Sequence, residues 1–245
     1  MKKLYYDFHT HSCLSPCADD DFTPAALAGF GKLAGLDVLA LTDHNTAGNC
    51  PAFFEAAQAY GVVPVAGMEL TTAEDIHAVC LFETLEEAMA FDRYVRERRM
   101  QLPNRPEVFG NQRIMDADDN QIGEEPFVLS FATTISIDDV QREVQPFGGI
   151  AWPAHVDRQS NGLIAVLGDF PAELPFPIAE LHDTEKLPEL ARQYPALEKK
   201  RIVTGSDAHA AEMLRDAQAQ IEVDDGAETP EEIRASLFST LRSLL

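Results

Sequence analysis

The chain has 245 residues, 45% of them apolar, with 19 basic against 41 acidic side chains for a net charge of −22. That composition excludes a disordered or collagen-like chain, and no run approaches the ~18 apolar residues of a membrane span. A strongly negative chain repels polyanions at long range, so no long nucleic acid is expected, although a small anionic substrate held on metal ions remains compatible.

In chain order, residues 4–8 (LYYDF) read as a strand, followed by a helix over 24–36 that Thr23 caps and Pro24 opens. Residues 37–44 (DVLALTDH) form a second strand, 51–60 a second helix, 62–70 (VVPVAGMEL) a third strand and 77–82 (HAVCLF) a fourth. Thr84 caps a helix running to Arg99. Apolar runs at 148–155, 177–183 and 201–209 each end in polar residues, and Thr229-Pro230-Glu231-Glu232 starts a last helix. Strands separated by helices predict a parallel sheet in an α/β fold. Residues 83–147 fit this alternation least. They hold a long helix, the acidic loop 116–125, an apolar piece at 126–132 and a helix after Ser136. They are expected to form an insertion or lid lobe on a single domain spanning 1–245.

The start MKKLYYDF reaches a charged Asp7 without an apolar core, so no signal peptide is read there. Four cysteines (Cys13, Cys17, Cys50 and Cys80) give no disulfide framework in so long a chain, which points to a reducing, cytoplasmic setting. Cys50 and Cys80 read as buried small hydrophobes.

Six of the seven histidines lie at or beside predicted strand ends: His9 and His11 in DFHTH, His44 in TDH, His77, His155 in PAH and His209 in SDAH. Asp7, Asp43, Glu69 and Asp207 accompany them. Residues two apart on a strand project to the same side, so His9 with His11, and Asp207 with His209, can each offer two donors to one cation. Imidazole and carboxylate together suit zinc, manganese or iron far better than calcium. Asp7 and Asp43 suit the alternative task of orienting ligating histidines. His182 reads as a solvated or capping residue. Arg158, three residues past His155, offers a fork for a substrate phosphate, with a surface ion pair as the alternative.

Taken together, DFHTH, TDH, GME, a lone histidine on the next strand, PAH and SDAH resemble, in order, the motifs of the PHP (polymerase and histidinol phosphatase) metallophosphoesterase family. The resemblance runs from residue 5 to 209 apart from the 83–147 region. It implies a distorted (β/α)7 barrel with two or three divalent metal ions at the carboxyl ends of the strands. By the same resemblance His9, His11, Glu69 and Asp207 hold the first metal. Glu69 bridges to a second completed by His77 and His155, and His44 with His209 holds a third. The family often adds a histidine or aspartate shortly after the HxH pair, where this chain has Cys17 with Asp19 close behind. A thiolate is a good zinc ligand, so Cys17 is the candidate there, with a buried turn cysteine as the alternative. The implied activity is hydrolysis of a small phosphomonoester or nucleotide by metal-activated hydroxide, with Glu69, Asp207 and Arg158 at the reacting centre.

An amidohydrolase-type C–N hydrolase is the main competitor. Binuclear members of that class commonly bridge their metals with a modified lysine at a strand end. None of Lys2, Lys3, Lys32, Lys186, Lys199 and Lys200 closes a mid-chain strand, whereas GMEL supplies Glu69. A non-catalytic metal-binding regulatory module is the other alternative. There is no GxxxxGK[ST] loop and no GxSxG elbow, and GFGKLAG falls inside a helix rather than after a strand. The basic run RYVRERR (93–99) reads as a solvated helix face.

Overall fold

Short apolar runs alternating with capped helices fold as the α/β pattern predicts, and a computed structural model describes residues 1–244. Strands β1 (Lys2–Asp7), β2 (Val38–Leu41) and β3 (Val63–Thr71) pair in parallel. Their crossovers are α1 (Pro24–Leu33) and α2 (Cys50–Tyr60). The Thr23 hydroxyl accepts from Ala26 N to cap α1, and α2 ends on Gly61 with φ 67. The helix read over 24–36 stops at Leu33 because Gly35 turns left-handed, with φ 80.

β4 (His77–Phe82) runs antiparallel to β3, Thr71 facing His77. This corrects the all-parallel expectation. Only residues 72–76 separate the two strands, too few for a crossover helix, so the chain reverses as a hairpin. α3 (Leu85–Arg96) carries a full capping box, Thr84 with Glu87, and buries Phe91 and Val95. Beyond it come α4 (Pro106–Phe109), the hairpin of β5 (Arg113–Met115) and β6 (Gln121–Glu124), and α5 (Val140–Val144). Part of the acidic loop expected at 116–125 is therefore strand. Its turn is held by Asp116, whose carboxylate accepts from the backbone of Asp118 and Asn120.

β7 (Ile150–Pro153) is antiparallel to β4, and thus runs with β1, β2 and β3. After α6 (Leu163–Leu167) comes β8 (Ile178–Glu180), which pairs in parallel with β9 (Arg201–Val203) across α7 (Leu187–Gln193). β10 (Gln220–Val223) adds antiparallel to β1, and α8 (Pro230–Arg242) starts from the Thr229–Glu232 capping box. Single hydrogen bonds close the ring where ladders stop. Val156 N donates to Glu180 O at 2.9 Å between β7 and β8. Asp207 N donates to His9 O at 2.8 Å, and His11 N to Ala208 O at 2.9 Å, between β9 and β1. Seven strands, β1–β2–β3–β4–β7–β8–β9, thus curl into a distorted barrel.

Alternate strand residues face opposite ways and build two cores. Phe8, Val38, Val65, Val79, Trp152 and Val203 pack inside together with Leu237 and Phe238 of α8. Leu39, Met68, Cys80 and Ala151 pack outward against the helices, including Leu27, Phe53 and Phe91. α8 thereby plugs one end of the barrel with apolar side chains. Among the described residues no helix is long and apolar enough to cross a membrane.

Candidate metal centre

The opposite end of the barrel holds the histidines. Glu69 shares the inward parity of Val63 and Val65 on β3 and is fully buried. His9 and His11 leave the end of β1, His44 leaves β2, His155 leaves β7, and Asp207 and His209 follow β9. His77 opens β4, and only because that strand is reversed does its first residue reach the same mouth as the last residues of its neighbours.

Glu69 is the centre of the cluster. Its Oε1 lies 2.8 Å from His77 Nδ1, 2.9 Å from His155 Nε2 and 3.1 Å from His9 Nε2. Its Oε2 lies 3.0 Å from His44 Nδ1 and 3.3 Å from His11 Nε2. Asp207 Oδ1 sits 3.0 Å from His11 Nε2 and 3.4 Å from His9 Nε2. Burial opposes ionisation of Glu69, but the charges of His77, His9 and His44 outweigh it and hold the carboxyl well below its ordinary range. Two non-glycine residues here take left-handed backbone, His155 (φ 27) and Asp207 (φ 52), a strain characteristic of functional sites. Gly205 is required by the close approach of β9 to β1, since a Cβ there would lie 2.5 Å from that of His9.

Outer groups fix the imidazoles. Glu180 Oε1 accepts from His9 Nδ1 at 2.8 Å and from His155 N at 3.1 Å, which leaves His9 Nε2 facing Glu69 and Asp207. Asp43 accepts from Ser12 N, Ser12 Oγ and Ser15 Oγ, each at 2.7 Å. Ser15 Oγ, its proton directed at Asp43, accepts in turn from His11 Nδ1 at 2.9 Å and His44 N at 3.1 Å. Asp7 acts on backbone instead, accepting from His9 N and Ser206 N at 3.1 Å. Glu180 was not singled out by sequence reading; an acidic residue closing the apolar run PIAE is the signal that could have found it.

The donor set fits metal ions. Three groups have ligand atoms within 4.8 Å of one another: His9, His11, Glu69 and Asp207; His44, Glu69 and His77; and His11, His44 and His209. His44 Nδ1 and Glu69 Oε2 approach to 3.0 Å, yet both are buried without a hydrogen bond. Two lone-pair donors facing one another across about 3 Å are placed as ligands about 2 Å from a shared cation would be. His155 belongs to none of the three groups but reaches Glu69 directly.

The remaining candidates lie at the rim. Cys17 is exposed, on a loop pinned on both sides, since Ser15 Oγ accepts from His44 N and Asp19 N donates to His209 O at 2.9 Å. Partial desolvation of its thiol raises the pKa, but His44 and His209 outweigh this and bring it down to about 5. Asp19 is exposed and joins none of the donor groups. Arg158 Nη1 contacts Asp207 Oδ2 at 2.5 Å. His182 is neither solvated nor a cap: it is half-buried between Arg158 and Arg215. Cys13, Cys50 and Cys80 are buried, away from the donor groups.

The model of the PHP domain family matches residues 7–203. The chain belongs to the PHP domain family. No curated protein matches it. Among solved structures, the lesion-specific endonuclease PfuEndoQ of Pyrococcus furiosus superposes with a TM-score of 0.64 at 18% identity. That match covers 97% of this chain but only 56% of the endonuclease. A protein of Bifidobacterium adolescentis assigned as a metal-dependent phosphoesterase gives 0.53 at 17% identity, with 95% of each chain covered. An amidohydrolase of Chromobacterium violaceum with bound sulfate gives 0.57 at 20% identity, covering 98% of this PHP chain and 96% of its own. At these identities the likeness concerns the fold, which is the barrel expected from the motifs.

Proposed function

We propose that this PHP domain is a metal-dependent phosphoesterase that hydrolyses a small phosphomonoester or nucleotide. Two or three divalent ions (zinc, manganese or iron) would be held by His9, His11, Cys17, His44, Glu69, His77, His155, Asp207 and His209. The observation that carries the reading is Glu69, one carboxylate whose two oxygens face separate sets of imidazoles. Divalent ions held by such a carboxylate and its imidazoles would supply an acidified water near neutral pH and polarisation of phosphoryl oxygens, and hydrolysis needs both.

The protein's own groups do the positioning. Glu180 holds the Nδ1 proton of His9, and the Asp43–Ser15 pair holds that of His11, so both Nε2 lone pairs stay directed at the centre. Arg158, anchored on Asp207, presents a guanidinium where a phosphate oxygen would bind. Part of the 83–147 region serves as a wall of the mouth: Asn45, next to His44, donates to the carbonyls of Leu129 and Phe131, and Gly110 packs on the Pro16 carbonyl beside Cys17. The charge of −22 favours a small substrate over a nucleic-acid duplex such as the abasic 27-mer seen in a complex of Endonuclease Q. Four unpaired cysteines suit a reducing cytoplasm. Glu69, and no lysine, lies near the end of a mid-chain strand, whereas binuclear C–N hydrolases of the amidohydrolase type commonly bridge their metals with a modified lysine at a strand end, and this supports phosphoester chemistry.

The test is inorganic phosphate release from a panel of phosphomonoesters and nucleotides by metal-reconstituted protein, run beside amine release from amides and cleavage of oligonucleotides. Phosphate release should dominate, and Glu69→Gln should abolish it while lowering bound metal. Full turnover of Glu69→Gln with full metal content, or a preference for amides or oligonucleotides, would overturn the reading.

A further inference from the structure

Beyond the donor groups, two arginines converge on one imidazole at the edge of the mouth. Arg158 Nη2 lies 3.1 Å from His182 Nδ1, while Arg215 Nη2 lies 3.0 Å from the same nitrogen and 2.8 Å from Nε2. Burial and the two guanidinium charges push His182 down to about 4, so its ring is neutral near pH 7. A neutral imidazole has a single acceptor nitrogen, so these N–H groups compete for one lone pair and cannot all be satisfied.

The charges are no better matched. Arg158 shares Asp207 with the metal centre. Arg215 directs its contacts at His182, with Nη1 donating to the His182 carbonyl at 2.8 Å, and it forms no ion pair among the described residues. In a chain with 41 acidic and 19 basic side chains, a guanidinium set beside another guanidinium and paired with no carboxylate of its own is an expensive arrangement. It is also a fixed one. Asp157 accepts from His182 N at 2.8 Å and from Asp183 N at 3.0 Å, locking the loop that both arginines grip.

An oxyanion would satisfy the surplus donors and the surplus charge together. We propose that Arg215, set beside Arg158 and the ester phosphate that Arg158 would contact, forms a subsite for a second anionic group of the substrate, a phosphate or carboxylate carried beyond the ester phosphate that meets the metals. The inference rests on the phosphoesterase reading and narrows it to phosphoesters bearing two anionic groups. Arg215 is the positioning element, tethered to the His182 carbonyl through Nη1, with its remaining N–H groups only partly met by the single lone pair of the His182 ring.

Calorimetry on the metal-reconstituted full chain tests this with non-hydrolysable probes: methylphosphonate, with one anionic group, against propane-1,3-diphosphonate and 3-phosphonopropionate, with two. The wild type should prefer at least one two-anion probe about tenfold, and which one identifies the second group. Arg215→Ala should erase that preference, and Arg215→Lys should keep part of it because the charge survives. Arg215→Gln keeps a donor for the His182 carbonyl without the charge. It should behave like Arg215→Ala, which separates anion binding from anchoring of the loop. Equal affinity for all probes in the wild type, or an undiminished preference in Arg215→Gln, would overturn the subsite while leaving the phosphoesterase reading intact. Failure of every phosphonate to bind would instead overturn the metal-centre reading, and the subsite with it.

Discussion

The two ends of the barrel are built by opposite rules from the same strands. At the floor, α8 sets Ile233, Leu237, Phe238 and Leu241 against Phe8, Val38 and Trp152, a predominantly apolar cluster in which the one buried charge of the helix, Arg234, donates to the carbonyls of Pro64 and Glu83. At the mouth, Glu69, His9, His11 and Asp207 are as deeply buried, yet they are polar, partly unsatisfied and accompanied by left-handed backbone at His155 and Asp207. Buried polar groups without partners are costly, and they persist where something other than stability holds them. The floor supplies the free energy that lets the mouth remain frustrated. This division between a stabilising bottom and a functional top is general to barrels.

Exchanging the damage between the two ends should expose that division. Phe238 is fully buried in the floor. Phe238→Ala should lower unfolding free energy by about 3–5 kcal/mol in denaturant titration, while the folded fraction still binds its full complement of metal. Metal loss at native-like stability in that variant would mean the ends are coupled. The reciprocal change is Glu180→Gln, which preserves volume but weakens the grip on His9 Nδ1 and on the His155 amide. Metal affinity should fall about 10–100-fold, equivalent to ~1.4–2.7 kcal/mol, with little change in the denaturation midpoint of the metal-free protein. A large stability loss with unchanged metal affinity would assign Glu180 to the fold instead.

The same contrast governs what could be read from the sequence. Ligand candidates sit in short motifs (HTH, TDH, GME, PAH, SDAH) because strand ends bring them to one mouth with almost no dependence on side-chain packing. Capping residues Thr23, Thr84 and Thr229 were equally legible, since a cap is a local hydrogen bond. The reversal of β4 was missed because alternating strands and helices were read as uniformly parallel, although residues 72–76 leave no room for a crossover. It matters for function, since a parallel β4 would carry His77 to the floor. Glu180 and Arg215 were not legible for another reason. Each acts on a histidine far away in sequence or across a loop, and such pairings exist only once the ring has closed.

Within the mouth itself there is a second gradient, and it gives the smallest expected effect. The His9–His11–Glu69–Asp207 group is wholly buried and braced by Glu180 and Ser15, whereas His209 is partly exposed and Cys17 stands at the surface. His209 Nδ1 donates to the Asp207 carbonyl at 2.8 Å, so its Nε2 is left to face His11, His44 and the Cys17 loop. A cation at this rim would be held by imidazoles and one thiolate, a set that suits a thiophilic ion such as zinc or cobalt. Cys17→Ser should therefore release about one metal equivalent per chain to a mild chelator, leaving the ions on Glu69 in place. In cobalt-loaded protein it should also remove the near-ultraviolet thiolate-to-metal absorption, a band that a merely structural cysteine would not produce. Unchanged stoichiometry together with no such band in the wild type would take Cys17 out of the metal centre and leave the rim site to the three imidazoles alone.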